Sequence, residues 1–132
     1  MSQENVDVVR ALYEIWEREG FGVVRELMDP GIEYVNPPYA VEPGTRRGHE
    51  GFSTAARSIN RIYPDRRLLP LKFYDAGDKV AVSVRVIARG AGSNVEVDTE
   101  RGYTFEVRSG KIVRYAWFNE PGEALKAVGL KE

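Results

Sequence analysis

The sequence contains no cysteine and a single histidine. The first absence excludes a disulfide framework, a thiol nucleophile and a thiolate metal site, and it fits a reducing compartment. A lone His49 cannot build a multi-histidine centre, and the neighbouring acids do not stand at ligand spacing, so no metal is expected. No cofactor is expected either. Neither sign of charge is in excess: 19 Lys+Arg stand against 20 Asp+Glu, a net charge of −1. The basic pairs Arg46-Arg47 and Arg66-Arg67 are the longest runs, so the clustered basic face of a nucleic-acid binder is missing. No apolar stretch approaches membrane-spanning length, and the opening "MSQENVDVVR" lacks the apolar core of a secretory signal. Repeats and low-complexity segments are missing too. These absences leave one cytoplasmic globular domain over residues 1–132, with no nucleic acid or membrane as partner.

What is present alternates between two periods. Val6, Val9, Leu12, Tyr13 and Trp16 recur at helical spacing, which predicts a helix over residues 3–19. Ser2 is suited to cap its start and Gly20 to end it. "VVRELM" (23–28) reads as a short second helix, and "IEYVN" (32–36) as a strand with Ile32, Tyr34 and Asn36 on one face. Residues 37–48, rich in Pro, Gly and Arg, read as loop. Phe52, Ala55, Ala56, Ile59 and Ile62 mark a helix from about His49 to Tyr63, closed by Pro64. Beyond it lie strand patterns. In "KVAVSVRVIAR", Val80, Val82, Val84 and Val86 alternate with smaller or polar residues, the signature of a half-buried antiparallel strand. Ser109-Gly110 marks a tight hairpin, and "EPGEALKAVGL" a closing helix with Pro121 in its first turn. The plan is α+β: a cone-shaped, curved antiparallel sheet wrapped around the helices, which pack on one face and enclose a pocket.

This order and its landmarks resemble the nuclear transport factor 2-like superfamily, and within it the SnoaL-like group. The residues that carry the resemblance are "NVDVVRALYEIW", "MDPGIEYVNPP", "RGHEG", "YDAGDKVAV", "GKIVRYAWF" and the late "EAL". The fold so implied hosts isomerases, cyclases, dehydratases, epoxide hydrolases and non-enzymatic binding domains, so it does not fix an activity. Relatives of the ketosteroid isomerase type keep a carboxylate base at the end of the first strand, directly before a proline. The matching residue is Asn36, whose amide cannot carry away a proton. Their oxyanion tyrosine corresponds to Tyr13, seven residues before Gly20, and their second donor falls near Tyr103. Cyclases of the SnoaL type place an aspartate where this chain has Trp117. The Asp-Arg-Asp arrangement of the epoxide hydrolases has no counterpart on inward positions, although Arg101 is placed to face inward.

The resemblance therefore implies oxyanion donors without their base. Catalytic candidates are Tyr13, Asn36 and Tyr103. A ligand pocket is expected from Tyr13, Trp16, Tyr34, Asn36, Phe52, Tyr103, Tyr115, Trp117 and Asn119, with core packing as the alternative for the aromatics. Asn36 is either a ligand-orienting amide or a strand-end residue that satisfies loop backbone. Glu96, Asp98 and Glu100 read as a solvated strand face, unless a one-residue slip turns them inward. The expected function is binding of a small apolar or aromatic molecule. An isomerase- or cyclase-type enzyme is the alternative, and a homodimeric interaction domain the third reading; a homodimer is expected in any case.

Overall fold

The computed structural model describes residues 2–23, 26–93 and 95–131, the side chain of Ser2 excepted, so its expected capping role lies outside what is described. The elements run α1 (Ser2–Glu19), β1 (Met28–Asn36), β2 (Gly44–Arg47), α2 (Gly48–Ile62), β3 (Arg67–Ala76), β4 (Lys79–Arg89), β5 (Glu96–Arg108), β6 (Lys111–Phe118) and α3 (Pro121–Ala127). The strands form one six-stranded sheet in the order β2-β1-β6-β5-β4-β3. Register shifts mark bulges in β1, β3 and β6, which bend a strand and help to curve the sheet. The sheet does not close; β2 and β3 are its edges.

Four expectations are corrected. The short second helix does not form over its described residues: Glu26 and Leu27 make a turn and Met28 already opens β1, while residues 24 and 25 lie outside the described chain. Gly22 lies at φ +95°, and a Cβ there would stand 2.3 Å from that of Ala56. Polar side chains take up the connection's carbonyls instead. Trp16 Nε1–H donates to Val23 O at 3.1 Å and Asn60 Nδ2–H to Phe21 O at 2.9 Å.

The loop before α2 contains a strand. β2 has no apolar alternation to announce it; it forms by pairing with β1, Arg46 opposite Tyr34 and Gly44 opposite Asn36. The sheet is mixed rather than wholly antiparallel, because β6 lies beside β1 in the same direction. Finally, the helices divide between the two faces. α1 and α2 share a core with Val80, Val82, Val84 and Val86, whereas Ala124 and Leu125 of α3 pack on Ala81, the opposite side of β4. Gly102 makes that docking possible: a Cβ there would lie 2.6 Å from Ala124 Cβ and 2.8 Å from Glu120 O.

The hairpins follow the sequence. Ser109 and Gly110 both take positive φ, 52° and 77°, as a two-residue turn between twisted strands requires. The main core is aromatic. Tyr115 is fully buried and stacks on Phe105 at 4.7 Å and on Tyr103 at 5.7 Å, and Phe52 meets Trp16, Phe21, Tyr34 and Tyr115. His49 docks the start of α2 onto β1 by donating Nε2–H to Met28 O at 2.9 Å. Among the described residues, no helix is long and apolar enough to cross a membrane.

Candidate ligand cavity

Between α2 and the inner sheet face lies a cavity of about 490 Å³. α2 contributes Thr54, Ala55, Ser58, Ile59 and Ile62; the sheet contributes Tyr34, Asn36, Arg46, Val86, Ala88, Val97, Arg101, Tyr103 and Trp117. Ala40, Val41 and Glu42 of the loop after β1 form one wall, and Tyr63 and Arg66, in the connection from α2 to β3, another.

The expected pocket residues thus fall into three groups. Tyr34, Asn36, Tyr103 and Trp117 line the cavity. Tyr13, Trp16, Phe52 and Tyr115 do not; they are buried in the core behind it. Asn119 lies beyond the end of β6, exposed, and its backbone N–H donates to the hydroxyl of Tyr39 at 2.8 Å.

Asn36 is held from both sides. Its Oδ1 accepts the Trp117 indole N–H at 2.7 Å, and its Nδ2–H donates to Glu42 O at 2.8 Å. The amide therefore fixes the orientation of Trp117 and closes the loop that walls the cavity. A carboxylate here would lose the second bond, because it has no proton to offer Glu42 O.

The phenols sit in low-dielectric surroundings. Burial pushes the Tyr34, Tyr13 and Tyr115 hydroxyls well above the ordinary tyrosine range, and neighbouring tyrosines push in the same direction. Burial destabilises the phenolate, so these groups stay protonated. Tyr13 OH is buried with no hydrogen-bond partner among the described residues. Tyr103 differs. Arg66 Nη2–H donates to its oxygen at 3.2 Å, which leaves the Tyr103 proton free to be donated elsewhere.

The carboxylates settle on the other side. β4 and β5 pair without a register shift, which puts Val97, Arg101 and Tyr103 inward and Glu96, Asp98 and Glu100 outward. Asp98 receives two hydrogen bonds from Arg85, at 2.9 and 2.8 Å, which hold its carboxyl below its usual range. Glu42 is the one carboxylate in the cavity lining; its side chain is 81% exposed and lies 3.5 Å from Arg46.

Sequence reasoning placed Arg101 inward but missed Arg46 and Arg66. Arg46, Arg66 and Arg101 all line the cavity. Arg66 caps the ring of Phe21 at 4.9 Å and Arg101 that of Trp117 at 5.6 Å. Strand alternation from Tyr103 was enough to find Arg101. Arg66 sits outside any periodic segment, and Arg46 on a strand with no pattern of its own, so neither carried a signal. Among the described residues, no group of three or more His, Cys, Asp or Glu is placed to hold a metal ion.

Comparison with known proteins places this geometry. No curated protein matches the chain. The structure is similar to a candidate SnoaL-like polyketide cyclase from Jannaschia sp. CCS1, at 20% identity and a TM-score of 0.79 over 99% of this chain and 95% of that one. It is similar also to a nuclear transport factor 2-like protein of unknown function from Burkholderia pseudomallei, at 20% identity and a TM-score of 0.77 over 98% and 99% of the two chains. A third relative is IdmH, a candidate polyketide cyclase from Streptomyces antibioticus, at 25% identity and a TM-score of 0.68 over 95% and 98%. The family model for the SnoaL-like domain matches residues 9–115, and the chain belongs to that family.

Proposed function

We propose that this protein binds a small apolar or aromatic molecule in the cavity, without acid–base chemistry by a buried carboxylate. The observation that carries the reading is the lining itself. Tyr34, Tyr63, Trp117, Ile59, Ile62 and Val86 supply apolar area, phenols, an amide and guanidiniums supply polar contacts, and the one carboxylate is an exposed rim residue. A concave, largely apolar wall with a few convergent polar groups is what small-molecule sites require. IdmH, named as a candidate polyketide cyclase, favours a polyketide-like ligand.

Thermal shift tests this with 2-acetylnaphthalene and anthraquinone. A ligand that binds the folded state raises the melting temperature with its concentration. The rise is expected in the native protein and is expected to vanish in Ser58→Trp, which fills the cavity from α2. No shift with any such compound would contradict the reading.

One observation favours an enolate-stabilising enzyme as the second reading: Tyr103 lines the cavity and its hydroxyl oxygen accepts from Arg66, which leaves its proton to be donated as an oxyanion donor requires. Deuterium exchange at the methyl group of 2-acetylnaphthalene, abolished by Tyr103→Phe, would support it. Exchange at the solvent rate would remove it.

A further inference from the structure

The charge of the cavity does not match that of the molecule. The chain carries a net −1, yet its cavity presents three arginines against one glutamate. Glu42 is taken by Arg46. Among the described residues Arg101 makes no ion pair; its guanidinium lies over the face of Trp117. Arg66 has a phenol oxygen and an aromatic face as partners, and its Nη1 is buried with no acceptor among the described residues.

Such an arrangement is costly. A buried donor without an acceptor loses its hydration for nothing in return. Lysine or histidine in that position can shed the charge; arginine cannot. A neutral acceptor satisfies the N–H, but an anion also compensates the charge. The three guanidiniums line the same cavity, each from its own element: β2, the α2–β3 connection and β5. The fork of a guanidinium matches a carboxylate by two parallel hydrogen bonds. The surrounding walls are aromatic and aliphatic, which suits a flat ring and leaves a bare inorganic ion poorly enclosed.

We propose that the cavity takes a planar aromatic carboxylate, its acid group held by Arg66 with the Tyr103 hydroxyl and its ring laid against Trp117 and Arg101. This deepens the pocket reading above and rests on it. A neutral ketone or hydrocarbon would enter the same walls but leave two cations uncompensated. Preference for the acid is therefore the property that separates the two statements.

Calorimetry with 2-naphthoate and 2-naphthamide tests it, because the two share a ring system and differ in charge. A hydrogen bond to a charged group contributes about 1.5–3 kcal/mol, so the native protein is expected to bind 2-naphthoate roughly tenfold tighter or better. Arg66→Gln, confirmed folded by circular dichroism, is expected to bring the two ligands within about twofold while the amide keeps its affinity. Tyr103→Phe, which removes a single hydroxyl, is expected to shrink the preference severalfold and serves where Arg66→Gln fails to fold. Equal binding of acid and amide by the native protein would overturn the anion assignment and leave the pocket standing. A preference that survives both variants would overturn the role given to Arg66. Binding of neither compound, nor of any neutral ring system, would remove the pocket reading and this one with it. Inorganic phosphate is expected not to compete; competition equal to that of naphthoate would overturn the aromatic part.

Discussion

The two faces of the sheet treat arginine in opposite ways. On the outer face each arginine meets a carboxylate: Arg85 with Asp98, Arg89 with Glu96, Arg114 and Arg47 with Glu33, and Arg108 with Glu106. These pairs are solvated and salt-screened, and contribute little to stability. On the cavity side Arg46 has Glu42, but Arg66 and Arg101 have aromatic rings and a phenol instead of carboxylates. Charge on the outside is balanced within the chain. Charge on the inside is left open at Arg66 and Arg101, beside a cavity that a ligand can enter. The same residue type therefore carries two meanings, and strand register decides between them.

The comparison can be broken first at the core on which the inner face rests. Phe52 is fully buried among four aromatic rings, so Phe52→Ala is expected to cost about 3–5 kcal/mol in urea unfolding. On the outer face the largest effect belongs to a glycine. Gly102→Val would drive its side chain into Ala124, Glu120 and Pro121, at an expected cost of about 1–3 kcal/mol and with α3 displaced. Amide exchange localised to α3 checks that outcome.

A smaller effect has the opposite sign. Tyr13 OH is buried without a partner among the described residues, so Tyr13→Phe is expected to leave stability unchanged or raise it by about 1 kcal/mol, and to leave ligand affinity intact. A loss of affinity would restore Tyr13 to the role of oxyanion donor. Alkali probes the same layer. Tyr13, Tyr34 and Tyr115 have raised pKa values in the folded protein, while in the unfolded chain they ionise near the ordinary value of about 10. The unfolded state then binds fewer protons above that pH, and stability falls as pH rises through and beyond it. Ultraviolet titration is expected to show these three of the seven tyrosines ionising only as the protein unfolds. The smallest effect is the outer pair: Arg85→Ala is expected to leave the melting temperature within error and ligand binding unaltered.

Much of the fold was legible because apolar periodicity is a local signal. The valines of β4, the Ser109-Gly110 turn and the stripe of α1 each announce themselves within a few residues. β2 did not, because its order comes from pairing with β1. The side on which α3 packs did not either, because it depends on Gly102 as a seat. The aromatic half of the site was readable from Tyr34, Tyr103 and Trp117 on alternating strand positions. Asn36 was read correctly as a polar group at a strand end; only the structure shows that Trp117 and Glu42 O occupy both ends of its amide. Of the cationic half, Arg101 followed from strand alternation, whereas Arg66 was hidden in the segment "PDRR", where nothing distinguishes it from the exposed Arg67.

The central claim is that the open charge of the cavity is there for a ligand. A crystal structure of the protein grown with 2-naphthoate tests it most directly. The account predicts a naphthalene ring beside Trp117 and carboxylate oxygens about 2.7–2.9 Å from the Arg66 guanidinium, the range of charge-assisted hydrogen bonds. A carboxylate turned out to solvent, with Arg66 still bound to Tyr103 alone, would contradict it.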